Sequence, residues 1–190
     1  MSGINVRKTP ILLTGIILEI LKAHFSQEEI WKYVDDEAST RIDINPSFKW
    51  DPKRTQDRPG IYVKREDIVI GPRLGMDDLY HEDMRTGEKE YAINSNVSWT
   101  VFCISPQVGE AEELAMATSD VLIFFSPLLR RDYKFDMFGV TRIGAVGKMD
   151  ESREFWLVPV QVEGKFNEVW PITPEALKIQ SINLKVDYKL

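Results

Sequence analysis

Few residues in this chain of 190 are suited to acid-base, nucleophilic or metal chemistry. They are two histidines, His24 and His81, one cysteine, Cys103, and the acidic pairs Asp35-Asp36, Asp77-Asp78 and Glu82-Asp83. Neither histidine has a partner at metal-ligand spacing, so each reads as a surface or helix-end side chain. A lone cysteine rules out internal disulfides and multi-cysteine metal sites. Cys103 sits in an alternating stretch, where a buried, inert thiol is expected. The acidic pairs carry the hard oxygen ligands a divalent cation needs, but not the glycine-centred twelve-residue loop of an EF-hand, and they read as a solvated face. Gly144-Ala-Val-Gly-Lys148 falls short of a phosphate loop: Arg142 stands where the first glycine belongs and Met149 where the hydroxyl belongs. No GxSxG elbow or HExxH helix occurs. The expectation is no catalytic residue, no metal and no cofactor. An enzyme would need a closed pocket built from Asp, Glu or Tyr.

The polar residues that remain suit recognition. Arg58 to Gly75 opens and closes on turn residues and reads as a strand from about Gly60 to Ile70, with Lys64-Arg65-Glu66-Asp67 at its middle. Ile61 and Val63 share one parity, Ile68 and Ile70 the other, which predicts a bulge at the charged cluster or contacts on both faces. Four charges in a row suit an assembly surface, where they set register and exclude wrong partners. Arg130 and Arg131, with Lys134, follow a long apolar helix, where they complement its dipole or form a basic contact patch.

These residues must be positioned by the following elements. Pro10 opens a helix whose apolar positions include Ile16, Ile17, Ile20, Leu21 and Phe25. Ser26 and Glu29 have capping-box spacing, which predicts a second short helix carrying Ile30, Trp31 and Val34. Residues 37–59, with three prolines, read as a long polar loop, and 71–90 as the long connection of a projecting hairpin. Tyr91 to Ser105 alternates as a half-buried strand, Tyr91, Ile93, Val97, Trp99, Val101 and Cys103 on one face. Gly109 to Ser126 reads as the main core helix, with Leu114, Thr118, Val121, Leu122 and Phe125 inward and Pro127 limiting its length.

Two strands follow, Phe135 to Gly147 and Glu154 to Phe166, with Pro159 marking an edge or a bulge. From about residue 167 the chain extends to a last alternating segment, Lys178 to Leu190. There Ile182, Leu184, Val186 and Tyr188 share a face that must pair within or between subunits. The order predicts one α+β domain over 1–190, a mainly antiparallel sheet with helices on one face in a two-layer sandwich.

Composition narrows the classes. With 43% apolar residues the chain can bury a core, and a net charge of −6 argues against a partner held by phosphate neutralisation. The apolar run after Arg7 and Lys8 resembles a signal peptide, but Glu19 and Lys22 interrupt it and no small-residue cleavage site follows. It is also too short and too charged to span a bilayer, so no membrane partner is expected.

Several stretches together carry a resemblance: the ILLTGIILEILKAHF helix, the RPGIYVKRED strand, the INSNVSWTVFCIS strand, the GEAEELAMATSDVLIFF helix and the strand pair after it. Over about residues 10 to 166 their order is similar to that of the tail terminator and neck proteins of tailed bacteriophages. The resemblance implies a structural virion protein made in the host cytoplasm. It would form a homo-oligomeric ring, commonly sixfold, with other neck and tail-tube proteins as partners and a channel through which DNA passes without specific binding. The interface residues would include Lys64, Arg65, Glu66, Asp67, Arg130, Arg131, Ile182, Leu184, Val186 and Tyr188. The other readings are a non-viral α+β interaction or adaptor domain that forms no ring, and an unrecognised enzyme.

Overall fold

The computed structural model describes residues 10–74, 81–83, 88–149 and 154–172. The elements run α1 (Pro10–Phe25), β1 (Asp43–Pro46), a 3-10 turn (Ser47–Lys49), α2 (Pro52–Asp57), β2 (Gly60–Leu74), β3 (His81–Asp83) and β4 (Glu88–Ser105). They continue with α3 (Val108–Tyr133), β5 (Phe135–Ile143), β6 (Gly147–Lys148) and β7 (Trp156–Ile172). Among these strands the sheet order is β1-β2-β4-β7-β5, with β3 on β4 and β6 on β7. β1 pairs parallel to β2, whereas β3 with β4, and β5 and β6 with β7, pair antiparallel. The class is the expected α+β.

The chain divides into two compact units, residues 1–69 with 96–166, and 70–95 with 167–190. In the first, Leu13, Ile17, Leu21 and Phe25 of α1 and Leu114, Thr118 and Leu122 of α3 are buried with Ile61, Val63, Trp99, Val101, Cys103, Val158, Val160 and Val162 of the strands. Strand side chains alternate between faces, so this set defines the sheet face that the helices cover. A smaller cluster of the other parity, Tyr62, Ile104 and Phe155, is roofed by Trp50, Phe102, Met149 and Leu157. In the second unit β3 lies beside β4, where Lys89 pairs with Glu82 at 3.6 Å, and Asn94 donates to Asn167 at 2.8 Å.

Several local expectations are corrected. No helix follows Ser26: its hydroxyl donates back to the Ala23 carbonyl at 2.8 Å, serving the end of α1 instead of opening a new turn, and Ile30 is exposed. Residues 37–59 are not a structureless loop but carry β1, the 3-10 turn and α2. Ile42 and Ile44 are fully buried there, and the Asp51 carboxylate caps α2 by accepting from the Lys53 amide at 3.0 Å. The 71–90 connection carries strand at 71–74, 81–83 and 88–90.

α3 continues through Pro127 to Tyr133. Pro127 and Ile123 both lie on the exposed side, so the carbonyl that loses its donor faces water, and Leu129 beyond it is buried. The helix closes at Lys134, in the left-handed conformation at φ 56°. Pro159 is not on an edge strand, since β7 lies between β4 and β5. It stands where the partner changes from β5 to β6, and its carbonyl accepts from the Gly144 amide at 2.7 Å. A Cβ at Gly144 would lie 2.6 Å from the Pro159 ring, so the break requires glycine.

Candidate assembly surface

Several of the residues with chemical potential make local contacts within the fold. Cys103 is fully buried with its Sγ 3.6 Å from Thr118 Oγ1, and burial pushes the thiol up to about 12, as an inert core cysteine requires. His24, half-buried at the end of α1, lies 3.3 Å from Glu28 and edge-on to Phe25. Asp35 accepts from the Tyr33 hydroxyl at 3.1 Å and Asp36 from the Ala38 amide at 3.4 Å, both turn contacts. His81 is placed by backbone in β3, as is Asp83, and Glu82 is the partner of Lys89. Asp77 and Asp78 lie outside the described residues. Among the described residues no group of three or more His, Cys, Asp or Glu side chains is arranged to hold a metal, and no helix is long and apolar enough to cross a membrane.

A buried polar network stands at the start of β2. The Tyr62 hydroxyl donates to Asp43 at 2.7 Å, the Asn45 amide also bonds Asp43, and Thr55 Oγ1 lies 3.3 Å from the Tyr62 oxygen. Burial raises the Tyr62 phenol well above its ordinary value. The network ties α2, β1 and β2 together; its distances are those of a satisfied structural cluster.

The charged cluster on β2 divides by parity. Lys64 pairs with Glu66 at 3.1 Å, and Glu66 accepts from Thr100 of β4 at 3.0 Å, so this pair is held on the sheet. Arg65 and Asp67 are exposed and make no ion pair among the described residues. Ile68 packs on the main core although its parity is opposite to that of Val63, which places the expected face switch at the cluster. Arg130 and Arg131 are exposed in the last turn of α3, and Arg131 bonds its neighbour Asp132 at 2.7 Å. No bond joins them to the β2 cluster among the described residues. Ile182, Leu184, Val186 and Tyr188 lie outside the described residues.

Two surface features escaped sequence reasoning. The first is the outer face of α3, where Met116 and Ile123 are each 54% exposed, Phe124 77% and Leu128 39%. Glu112, Glu113 and Asp120 lie exposed on the same face. α3 therefore carries apolar stripes on two sides. The spacing Met116, Ile123, Phe124, Leu128 was legible, but the stronger inner stripe accounted for a core helix and masked it. The second is a mostly apolar groove of about 550 Å³ beside α1, β1 and β2. Its lining includes buried Leu18 and Val63, Phe48 at 82% exposure, and Lys64 and Arg65.

No family model matches the chain, and no curated protein matches it. Among solved structures the chain is similar to a chain described as "Virion of native gene transfer agent (GTA) particle". The two are 11% identical with a TM-score of 0.44, over 82% of this chain and 95% of that one.

Proposed function

We propose that this chain is a structural virion protein of a tailed phage or phage-like particle, a tail terminator or neck subunit at the head-tail junction. Copies assemble into a ring, commonly sixfold, that caps the tail tube and joins it to the head, and DNA passes through the channel without specific binding. On this reading the protein has no catalytic turnover and no required metal or cofactor. Its partners are further copies of itself and other neck and tail-tube proteins.

The observation that carries the proposal is the exposed apolar face of α3. Soluble monomers rarely leave a contiguous set of large apolar side chains in water, and Met and Phe are enriched at the centre of interfaces. Met116, Ile123 and Phe124 on a well-packed helix are therefore best explained by a partner that covers them. The resemblance in element order supplies the ring, and the net charge of −6 suits a wall past which DNA slides. Negative-stain microscopy of the purified chain tests the reading: annular particles with a central opening are expected, and a field of dispersed single subunits at every concentration would overturn it.

A further inference from the structure

The two apolar surfaces lie on different helices, the groove on the β1 side of α1 and the stripe on the outer side of α3. β1 is one edge of the sheet path and β5 the other, α1 packs on β1, and α3 packs on β5 and on α1. The groove and the outer stripe of α3 are thus separate surfaces of one copy, the stripe reaching towards the C-terminal end of α1 at Phe124 and Asp120. Their characters are complementary: the groove is concave and apolar and is lined by Arg65 and by Lys64, which also pairs with Glu66, whereas the stripe is a convex helix carrying Met116 and Ile123 among Glu112, Glu113 and Asp120. None of these three carboxylates has an ion pair among the described residues.

Gly15 supplies an independent sign. It lies in the middle of α1 and in the groove wall, where glycine costs a helix roughly 1 kcal/mol relative to alanine. A Cβ there would meet nothing within 4 Å, so the subunit's own packing does not require the glycine. The absence of a side chain leaves room in the groove wall for a partner's side chains.

From these observations we infer that the α3 outer stripe of one copy docks in the α1/β1/β2 groove of the next. The contact is head-to-tail, one patch on a different patch, which is the kind that closes into a ring. The inference rests on the ring reading and specifies its interface.

Three variants test it, each checked for an unchanged fold by circular dichroism and melting. Gly15→Leu fills the groove while favouring the helix, and is expected to keep or raise the melting temperature and to weaken association at least tenfold. Lys64→Glu with Arg65→Glu reverses the groove, and Glu112→Lys with Glu113→Lys reverses the stripe. Each pair alone is expected to block assembly, because like charges then meet. An equimolar mixture of the two is expected to restore it, since each reversed surface finds its complement on the other variant. If wild type forms rings and all three variants still assemble, or the mixture stays dissociated, the docking is wrong and the ring reading stands. If wild type forms no assembly, both fail.

Discussion

Tyr62 and Asp43 are the residues on which the β1 edge depends, because a carboxylate only 6% exposed must keep its donors. Tyr62→Phe removes one of them and leaves Asp43 short of a bond inside the protein. The expected loss is about 1–3 kcal/mol, read by urea unfolding. Cys103 gives a pH signature. Its thiol titrates at about 9 in an ordinary setting and is pushed up to about 12 in the fold. Between these values the unfolded chain loses its proton while the folded one keeps it, so stability is full below about pH 9 and falls as pH rises towards 12. The raised Tyr62 phenol acts in the same direction above about pH 10. The melting temperature should therefore decline through this alkaline window, and Cys103→Ala should make the decline begin later. A decline of the same onset and slope in Cys103→Ala would remove the thiol from the account. At the surface, Lys64 and Arg65 are exposed and the Lys64–Glu66 pair is a solvent-facing one, so their reversal should leave the melting temperature within a degree or two while acting on association.

At the scale of elements, α3 carries both the core and the proposed assembly face, and the two should be separable by mutation. Met116→Asp with Ile123→Asp alters only exposed positions and should change unfolding free energy by less than about 0.5 kcal/mol. The same variant should abolish association, as measured by light scattering. Gly144→Ala is the opposite kind of change. Its Cβ would fall 2.6 Å from the Pro159 ring, so the junction between β5 and β6 must shift. A stability loss of about 1–3 kcal/mol with no specific effect on assembly is expected. The long periodic elements were legible because their signal repeats: α1, the buried face of β4 from Val97 to Cys103, and the inner stripe of α3 all follow their pattern. The 37–59 region was not legible as structure, because β1 and the residue before it contribute a single short alternation, Ile42 and Ile44, among charges and prolines. Asp51-Pro52 was a readable helix start, outweighed by the polar composition around it. Ser26 misled because a hydroxyl beside a helix end can serve the carbonyls before it as well as the amides after it. Of the site, the β2 charges were visible as a motif. The groove was not, since it joins residues 14–18, 46–48 and 63–65, which the parallel β1–β2 pairing and the packing of α1 on β1 bring together.

For the whole molecule, an acidic subunit with an apolar face exposed on α3 and a separate apolar groove beside α1 would, on the proposed reading, be a building block whose two contacts differ. A head-to-tail contact of this kind leaves no free surface only when the copies close on themselves, so the assembly should have a fixed subunit number and not a distribution of lengths. Burial of the α3 face must outweigh the ordering costs of association, and an interface of standard size, about 1,600 Å², is sufficient when its centre is apolar and well packed. Because part of the proposed contact is ionic, raising salt should weaken it, while Met116 and Ile123, placed at its centre by the proposal, should hold it at moderate ionic strength. The most direct measurement is the solution mass of the wild-type chain by analytical ultracentrifugation across a hundredfold range of concentration. The account predicts one closed species whose mass is a fixed multiple, at least threefold and commonly sixfold, of 21.9 kDa. A single species at 21.9 kDa throughout that range would contradict it.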